Sequence, residues 1–468
     1  MPGAYQTKFD REYGISSLIQ TLGDTKVTQI FVHDVTQLKN LTEVSAAVLG
    51  LEKYDQRALV LARPQDLVCV ASEVDDQYLR FLSNLEIGPS NGHVIVGSER
   101  IQATSGASLL DLLMSNYEVL LTIRKLVKES TRIKVNPFMA SPEQFQLAST
   151  LEKITAKQVH VFAGDPAIVD YADGKHNVRA QAVELGVPVP EGDVVEIELR
   201  EDGKPLDLTP LLVAIDRHIR RPGRVIIKGS YGASGSSTVI VEANSKSIQE
   251  ALKKIAERTD NRVYLVEVML EVIVSTNILM HVEPDSGGIL CVSVTDQRLS
   301  EALVHEGNLY PSRAKTIKAM MGSAWKMSKW LQSEGYCGLV GFDFAEYLNR
   351  ETGELRHCLS EINPRTNAAA YPKALMEYLN MKREQKCQPG IEAFLSSNLR
   401  TKASSFAELN DLCGRLFFNS ETGRGVVPYN TGCLEYGKFS LAVFGKSRKS
   451  VFDMYRDLKT AAQSQSRL

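Results

Sequence analysis

Between Thr28 and Phe162 the chain alternates short apolar runs with polar stretches: TQIFVH, RALVLA, LVCVA, HVIV, RIKVN and QVHVF. Runs of this length, rich in Val, Ile and Leu, predict strands. Residues 109–127, with Leu and Ile at helical spacing, predict the clearest helix between them. Strands alternating with helices predict a parallel, doubly wound α/β sheet. The pattern then changes. Residues 170–190 read as a polar turn followed by a helix that Gly186 and two prolines stop. Residues 224–242, RVIIKGSYGASGSSTVIVE, read as a strand ending in Lys228, a Gly/Ser loop and a second strand over 238–241. A helix at 247–258 precedes strands at 262–268, 275–281 and 289–294. Thr295, Asp296, Gln297 and Arg298 lead into a polar run, LSEALVHEGNLYPSR over 299–313, that predicts a loop closing over a site. Residues 316–334 predict a helix whose methionine stripe is packing.

Two further apolar runs, 339–348 and 355–362, flank the polar residues 349–353. A three-residue loop of Glu351, Thr352 and Gly353 would set Arg350 opposite Glu354. Counting outward then brings Asp343 opposite Glu361, with Asn363 on the same face. Two carboxylates and an amide oxygen side by side repel one another unless a cation lies between them. Three hard oxygen ligands favour magnesium, with manganese as a substitute, over zinc. Arg365 adds a fixed positive charge beside them.

Upstream, Lys175 precedes a helix whose N-terminus could join it in meeting an anion. Lys228 leads into a loop where Ser230, Ser234, Gly235 and Ser236 can bring hydroxyls and backbone N–H groups to phosphate. Glu267, Val268, Met269 and Leu270 end a strand and can offer an extended edge to adenine, with Glu271 near a ribose hydroxyl. Each feature alone has a plainer reading: a solvated lysine, a flexible hairpin, a surface glutamate. Their combination carries the weight.

The 468 residues, 43% hydrophobic and 24% charged, describe a soluble globular chain with room for two or three domains. A net charge of -2 gives no reason to expect nucleic acid or an anionic membrane as partner. Seven scattered cysteines without a CxxC pair argue against a disulfide framework or a zinc site and for a reducing compartment. With no signal-like or bilayer-length apolar segment, a cytoplasmic location is expected. No GxGxxG follows a strand in the first third, so a dinucleotide site is not supported.

Taken in order, Lys175, Lys228, the Gly/Ser loop, VEVMLE and Asp343…Glu361-Ile362-Asn363-Pro364-Arg365 resemble the ATP-grasp superfamily over roughly residues 170–376. The resemblance implies an N-terminal doubly wound α/β domain, of the kind called pre-ATP-grasp, followed by a two-lobed ATP-grasp fold. It implies ATP between two α+β subdomains, with Lys175 and Lys228 on its phosphates and Glu267, Val268, Met269 and Leu270 at the adenine. Asp343, Glu361 and Asn363 would hold magnesium, and Arg365, with Arg298, would face a reacting carboxylate. Many members carry a ribose-binding carboxylate where this chain has Val274, which leaves Glu271 as the substitute. The segments ALVLARPQDLVCVASEVDDQYL, IKVNPFMASPEQFQLASTL and RGVVPYNTGCLEYGKFSLAVFG are similar to the first domain and closing segment of the pheganomycin-type peptide ligases. The implied divisions are 1–165, 166–400 (clamping lobe about 190–275) and 401–468. The implied reaction joins a carboxylic acid to an amine, amino acid or peptide, through an acyl phosphate, releasing ADP and phosphate. The partners are then small molecules, with a homodimer allowed. A kinase, a carboxylating enzyme and a regulatory ATP-binding protein are the alternatives.

Overall fold

The computed structural model describes residues 6–22, 27–38, 48–97, 108–220, 223–232, 238–259, 261–285 and 287–463. These build three sheets. The first holds β1 (Val27–Val32), β2 (Leu67–Val70), β3 (Val94–Val96), β4 (Arg132–Pro137) and β5 (Val159–Val161), all parallel in the order β3-β2-β1-β4-β5. One face, with Ile30, Val32, Leu67 and Val135, packs on helices that contribute Leu110, Leu113, Ile123 and Leu147. The other, with Phe31, Val68 and Val70, joins a core shared with the C-terminal strands. Burial on both faces is why these strands are continuous apolar runs.

Two expectations fail here. RALVLA is not a strand: it closes a 3-10 helix, Leu51–Val60, and Ala58, Leu59, Val60, Leu61 and Ala62 are all buried. A short, wholly buried apolar run carries no period that could separate strand from helix. Residues 109–127 form two helices, Leu109–Ser115 and Tyr117–Leu126. Asn116 turns extended (φ -105°, ψ 97°) and its side chain accepts from the Val119 N–H, capping the second helix.

The second sheet is antiparallel, ordered β6-β9-β7-β8, from β6 (Gly192–Glu196), β7 (Arg224–Gly229), β8 (Thr238–Glu242) and β9 (Val263–Val268). Val225, Ile227, Val241, Tyr264 and Val266 pack against the helices Thr209–Ile219 and Ser245–Ala256.

The third sheet has eight antiparallel strands: β10 (Val272–Val282), β11 (Ile289–Leu299), β12 (His305–Tyr310), β13 (Gly338–Leu348), β14 (Leu355–Asn363), β15 (Ala393–Arg400), β16 (Gly425–Asn430) and β17 (Lys438–Gly445). Their order is β14-β13-β10-β11-β12-β15-β17-β16. The loop expected over 299–313 therefore gives way to sheet at His305–Tyr310, which form β12 between β11 and β15. These residues are polar because they line a cleft. At Gly307, φ is 150°, and a Cβ would lie 1.9 Å from the Ser396 carbonyl oxygen, so only glycine lets β12 meet β15 there.

β15 ends at Arg400 and pairs along its length with β17, so residues 401–468 continue the large sheet. Residues 6–22 pack on the helix Ala370–Gln385, with Lys373 2.9 Å from Asp10 and 3.3 Å from Glu377. No helix among the described residues is long and apolar enough to cross a membrane.

Candidate active site

The hairpin of β13 and β14 brings Asp343 opposite Glu361, as expected, but by another route. The turn holds four residues, not three. The Asn349 N–H donates to the Glu354 carbonyl (2.9 Å) and the Gly353 N–H to the Asn349 carbonyl (2.8 Å). The Asn349 side chain caps the turn by accepting from the N–H groups of Glu351 and Thr352 (2.9 and 3.0 Å). Arg350 thus does not face Glu354, and the ladder starts one residue out of the expected step. A bulge between Asp343 and Phe344 on the register, with Ser360 as the extra residue, restores the Asp343–Glu361 pair.

Asp343 Oδ1 accepts from Asn277 Nδ2 at 2.6 Å, and Oδ2 from Asn363 Nδ2 at 3.0 Å. Burial and the Glu361 charge push its carboxyl up from 3.8 to about 6, against the amide hydrogen bonds that favour the charged form. Lys175 stands 3.3 Å from Glu361 and donates to the Gly232 carbonyl at 3.1 Å. Asn367 donates to Asn277 (3.0 Å), completing a chain of amides onto Asp343. Gly341 makes room for it, since a Cβ there would lie 2.1 Å from Asn367 Nδ2. Arg365 is fixed at both ends of its fork, to Asp173 (2.8 Å) and to Asn363 Oδ1 (2.7 Å).

The opposite wall comes from the four-stranded sheet. Lys228 Nζ lies 2.8 Å from Glu267, and Arg179 lies 3.0 Å from the same carboxylate. Burial disfavours the Lys228 charge, but Glu267 outweighs it and its pKa rises. Between the walls lies a cleft of about 400 Å3. Lys175, Lys228, Glu267, Val268, Met269 and Leu270 line it on one side, and Asp343, Glu361, Asn363 and Arg365 on the other. That volume is of the size that holds a small-molecule ligand.

Three expected site residues are elsewhere. Ser230 is buried, with its hydroxyl taken by His176 and its N–H by the Val263 carbonyl at 2.9 Å. Glu271 is exposed in the link between β9 and β10 and pairs with Arg350 of the hairpin turn. Arg298 does not line the cleft. Its guanidinium lies 4.9 Å over the Tyr455 ring and 3.8 Å from Glu306, while its neighbour Gln297 takes the cleft side. Val274 is buried in the core. Ser234, Gly235 and Ser236 lie outside the described residues. Residues not anticipated include Asp173, Arg179, Asn277 and Asn367. Asn277 had a signal, a polar residue inside an apolar strand. The rest had none.

Residues 55–152 match the family model described as the Pre ATP-grasp domain. A comparison with curated protein sequences found no match. Among solved structures, N5-carboxyaminoimidazole synthetase from Staphylococcus aureus, complexed with ADP, is 14% identical with a TM-score of 0.51, over 92% of this chain and 96% of that one. N5-carboxyaminoimidazole synthase from Aspergillus clavatus, with ADP and 5-aminoimidazole ribonucleotide, is 12% identical with a TM-score of 0.51, over 93% and 99%. Biotin carboxylase from Campylobacter jejuni, in a β-γ-ATP complex, is 13% identical with a TM-score of 0.52, over 92% and 90%. The chain has the ATP-grasp fold. In ATP-grasp terms, the parallel sheet is the preceding domain, and the four- and eight-stranded sheets are the two lobes around the cleft.

Proposed function

We propose that the protein is an ATP-dependent ligase that joins a carboxylate to an amine, with an amino acid or peptide among its substrates. The observation that carries this reading is the meeting, in one cleft, of Lys228 and Lys175 with the opposed carboxylates of Asp343 and Glu361. The carboxylates fit a hard divalent cation. They face each other, and burial together with the Glu361 charge raises the Asp343 carboxyl to about 6. Magnesium would be held by Asp343 and Glu361, with Asn363 after its amide oxygen leaves Arg365, and would offset phosphate charge during phosphoryl transfer.

The chain's own residues have distinct tasks. Lys228, steadied by Glu267, presents its ammonium to the phosphates, and Lys175 spans from Glu361 to the Gly/Ser loop. Val268, Met269 and Leu270 provide the adenine side. A carboxylate oxygen takes the terminal phosphoryl group, releasing ADP. The amine nitrogen then forms the C–N bond as phosphate leaves with the C–O electron pair, and the amine gives up a proton. Arg365, which keeps Asp173 as its partner, supports the oxyanion of that second step.

A carboxylating reaction is the second reading, favoured by the names of the structurally similar enzymes. There the acid would be bicarbonate. The test measures ADP and phosphate release over pairs of acids and amines, with magnesium present. Release that requires both an organic acid and an amine supports ligation. Release with bicarbonate and amine alone supports carboxylation. ATP binding without release in any pair would sink both.

A further inference from the structure

The cleft extends well past the hairpin. On its other side the 3-10 helix Leu51–Val60 places Arg57 against Tyr54, Tyr371 and Tyr429, and all four residues line the cleft. The guanidinium carbon stands 3.6 Å from the Tyr54 ring centroid, 5.8 Å from that of Tyr371 and 5.9 Å from that of Tyr429. Nη2 donates to Ser440 Oγ at 3.1 Å and to Asn398 Oδ1 at 3.4 Å, while Nε is shielded from water without an acceptor.

The other permanent cations lining the cleft are Lys175, Lys228 and Arg365, and each is paired with a carboxylate, respectively Glu361, Glu267 and Asp173. Arg57 differs. Among the described residues no carboxylate lies within ion-pair distance of it. A guanidinium in a tyrosine box, with a dry unsatisfied N–H, is short of one anion. It is also far from the phosphoryl chemistry. Asn398 and Ser440, its partners, belong to β15 and β17. From β13, which carries Asp343, to β15 is four strand steps, roughly 19 Å at about 4.8 Å each. The reacting carboxylate must lie beside the hairpin, so an anion on Arg57 belongs to a part of the substrate that does not react.

Resting on the ligase reading, we propose that Arg57 docks the free, non-reacting carboxylate of the amine-bearing substrate and so selects amines that carry one. A single guanidinium supplies one charge, which suits a carboxylate better than a phosphate dianion.

The test uses dipeptides and their C-terminal amides as amines, in the full-length protein with ATP, magnesium and an acid that supports ADP release. It is paired with calorimetric binding of the same dipeptides without ATP. Free carboxylates should have KM and Kd values about 10- to 100-fold lower than the amides. Arg57→Gln should erase that difference by weakening only the carboxylate forms, with kcat and the KM for ATP nearly unchanged. Arg57→Lys should restore part of it. Acid and amide forms of equal KM in the unaltered protein would overturn the proposal, whether or not the variants fold. So would a phosphate-bearing amine that outcompetes the carboxylate. If no acid–amine pair releases ADP, the ligase reading fails. Arg57-dependent binding of the free carboxylates would then still uphold the subsite, and its absence would overturn that too.

Discussion

Two clusters in this molecule have the same composition and opposite uses. Asp10, Glu377 and Lys373 are two carboxylates and an ammonium, as are Asp343, Glu361 and Lys175. In the first, the side chains are 1–4% exposed. The remaining lone pairs are used as well: Tyr310 donates to Asp10 at 2.9 Å, Ser17 to Glu377 at 2.9 Å, and the Leu18 and Ile19 N–H groups to Glu377 at 3.2 and 3.0 Å. That cluster ties residues 6–22 to the C-terminal half. In the second, Glu361 is 26% exposed, the cluster opens on the cleft, and Asp343 stays near 6. Closed charge ties the fold together; charge left open beside a cavity is what supports the proposed binding site.

The comparison breaks most easily at Lys373. Lys373→Met would strand two buried carboxylates and should cost about 3–5 kcal/mol in urea unfolding, with activity lost only in step with folding. A loss below about 1 kcal/mol would mean the cluster is not the tie it looks to be.

Asp343→Asn should do the reverse. Turnover should drop about 100-fold or more, as when a group that stabilises the transition state is removed, while the melting temperature holds or rises because a like-charge repulsion is gone. ADP release near the parent level at saturating magnesium would remove Asp343 from the site.

Lys228→Ala should weaken ATP binding by about 1.5–3 kcal/mol, the worth of a charge-assisted hydrogen bond. Glu267 keeps Arg179 as a partner, so the fold should survive. Calorimetry with unchanged ATP affinity would return Lys228 to a purely structural role.

The pH response separates the clusters more finely. Because the folded pKa of Asp343, about 6, stands above its ordinary 3.8, the folded protein holds a proton between these values that the unfolded chain has lost. The contribution of this group to stability is thus greatest below 3.8 and declines as pH rises through 6. Magnesium needs the ionised carboxylate, so its stabilising effect on thermal melting should be weak at about pH 5 and full at about pH 8. Equal magnesium shifts at both would argue against Asp343 as a ligand. The smallest expected effect is at the exposed Glu271–Arg350 pair. Glu271→Ala should change stability by less than about 0.5 kcal/mol and leave ATP affinity unaltered.

Local order along the chain was legible wherever a short apolar run was bounded by polar turns. The strands of the first sheet, the strand ending in Lys228 and the two arms of the hairpin all announced themselves in this way, by length and by their aliphatic and β-branched residues. β12 did not, because its residues face a cleft and so lack the apolar alternation. RALVLA misled for the opposite reason: buried on all sides, it has no alternation to read. The Asp343–Glu361 pairing was reached with a turn one residue too short, and a bulge made up the difference. A count outward from a turn senses neither.

What the sequence determined by itself was the chemical inventory and its order: two lysines, a Gly/Ser loop, a hinge strand, then Asp343, Glu361, Asn363 and Arg365. Residue type and spacing suffice for that, because ligand hardness and strand alternation are local properties. Only the tertiary structure decided which of these residues share a cleft and what neutralises each. It set Glu267 between Lys228 and Arg179, turned Glu271 out to Arg350 and Arg298 toward Tyr455, fixed Arg365 on Asp173, and brought Arg57 across from the N-terminal half. Those pairings join residues up to hundreds of positions apart. A charge finds its partner through packing, and packing is a property of the folded chain as a whole.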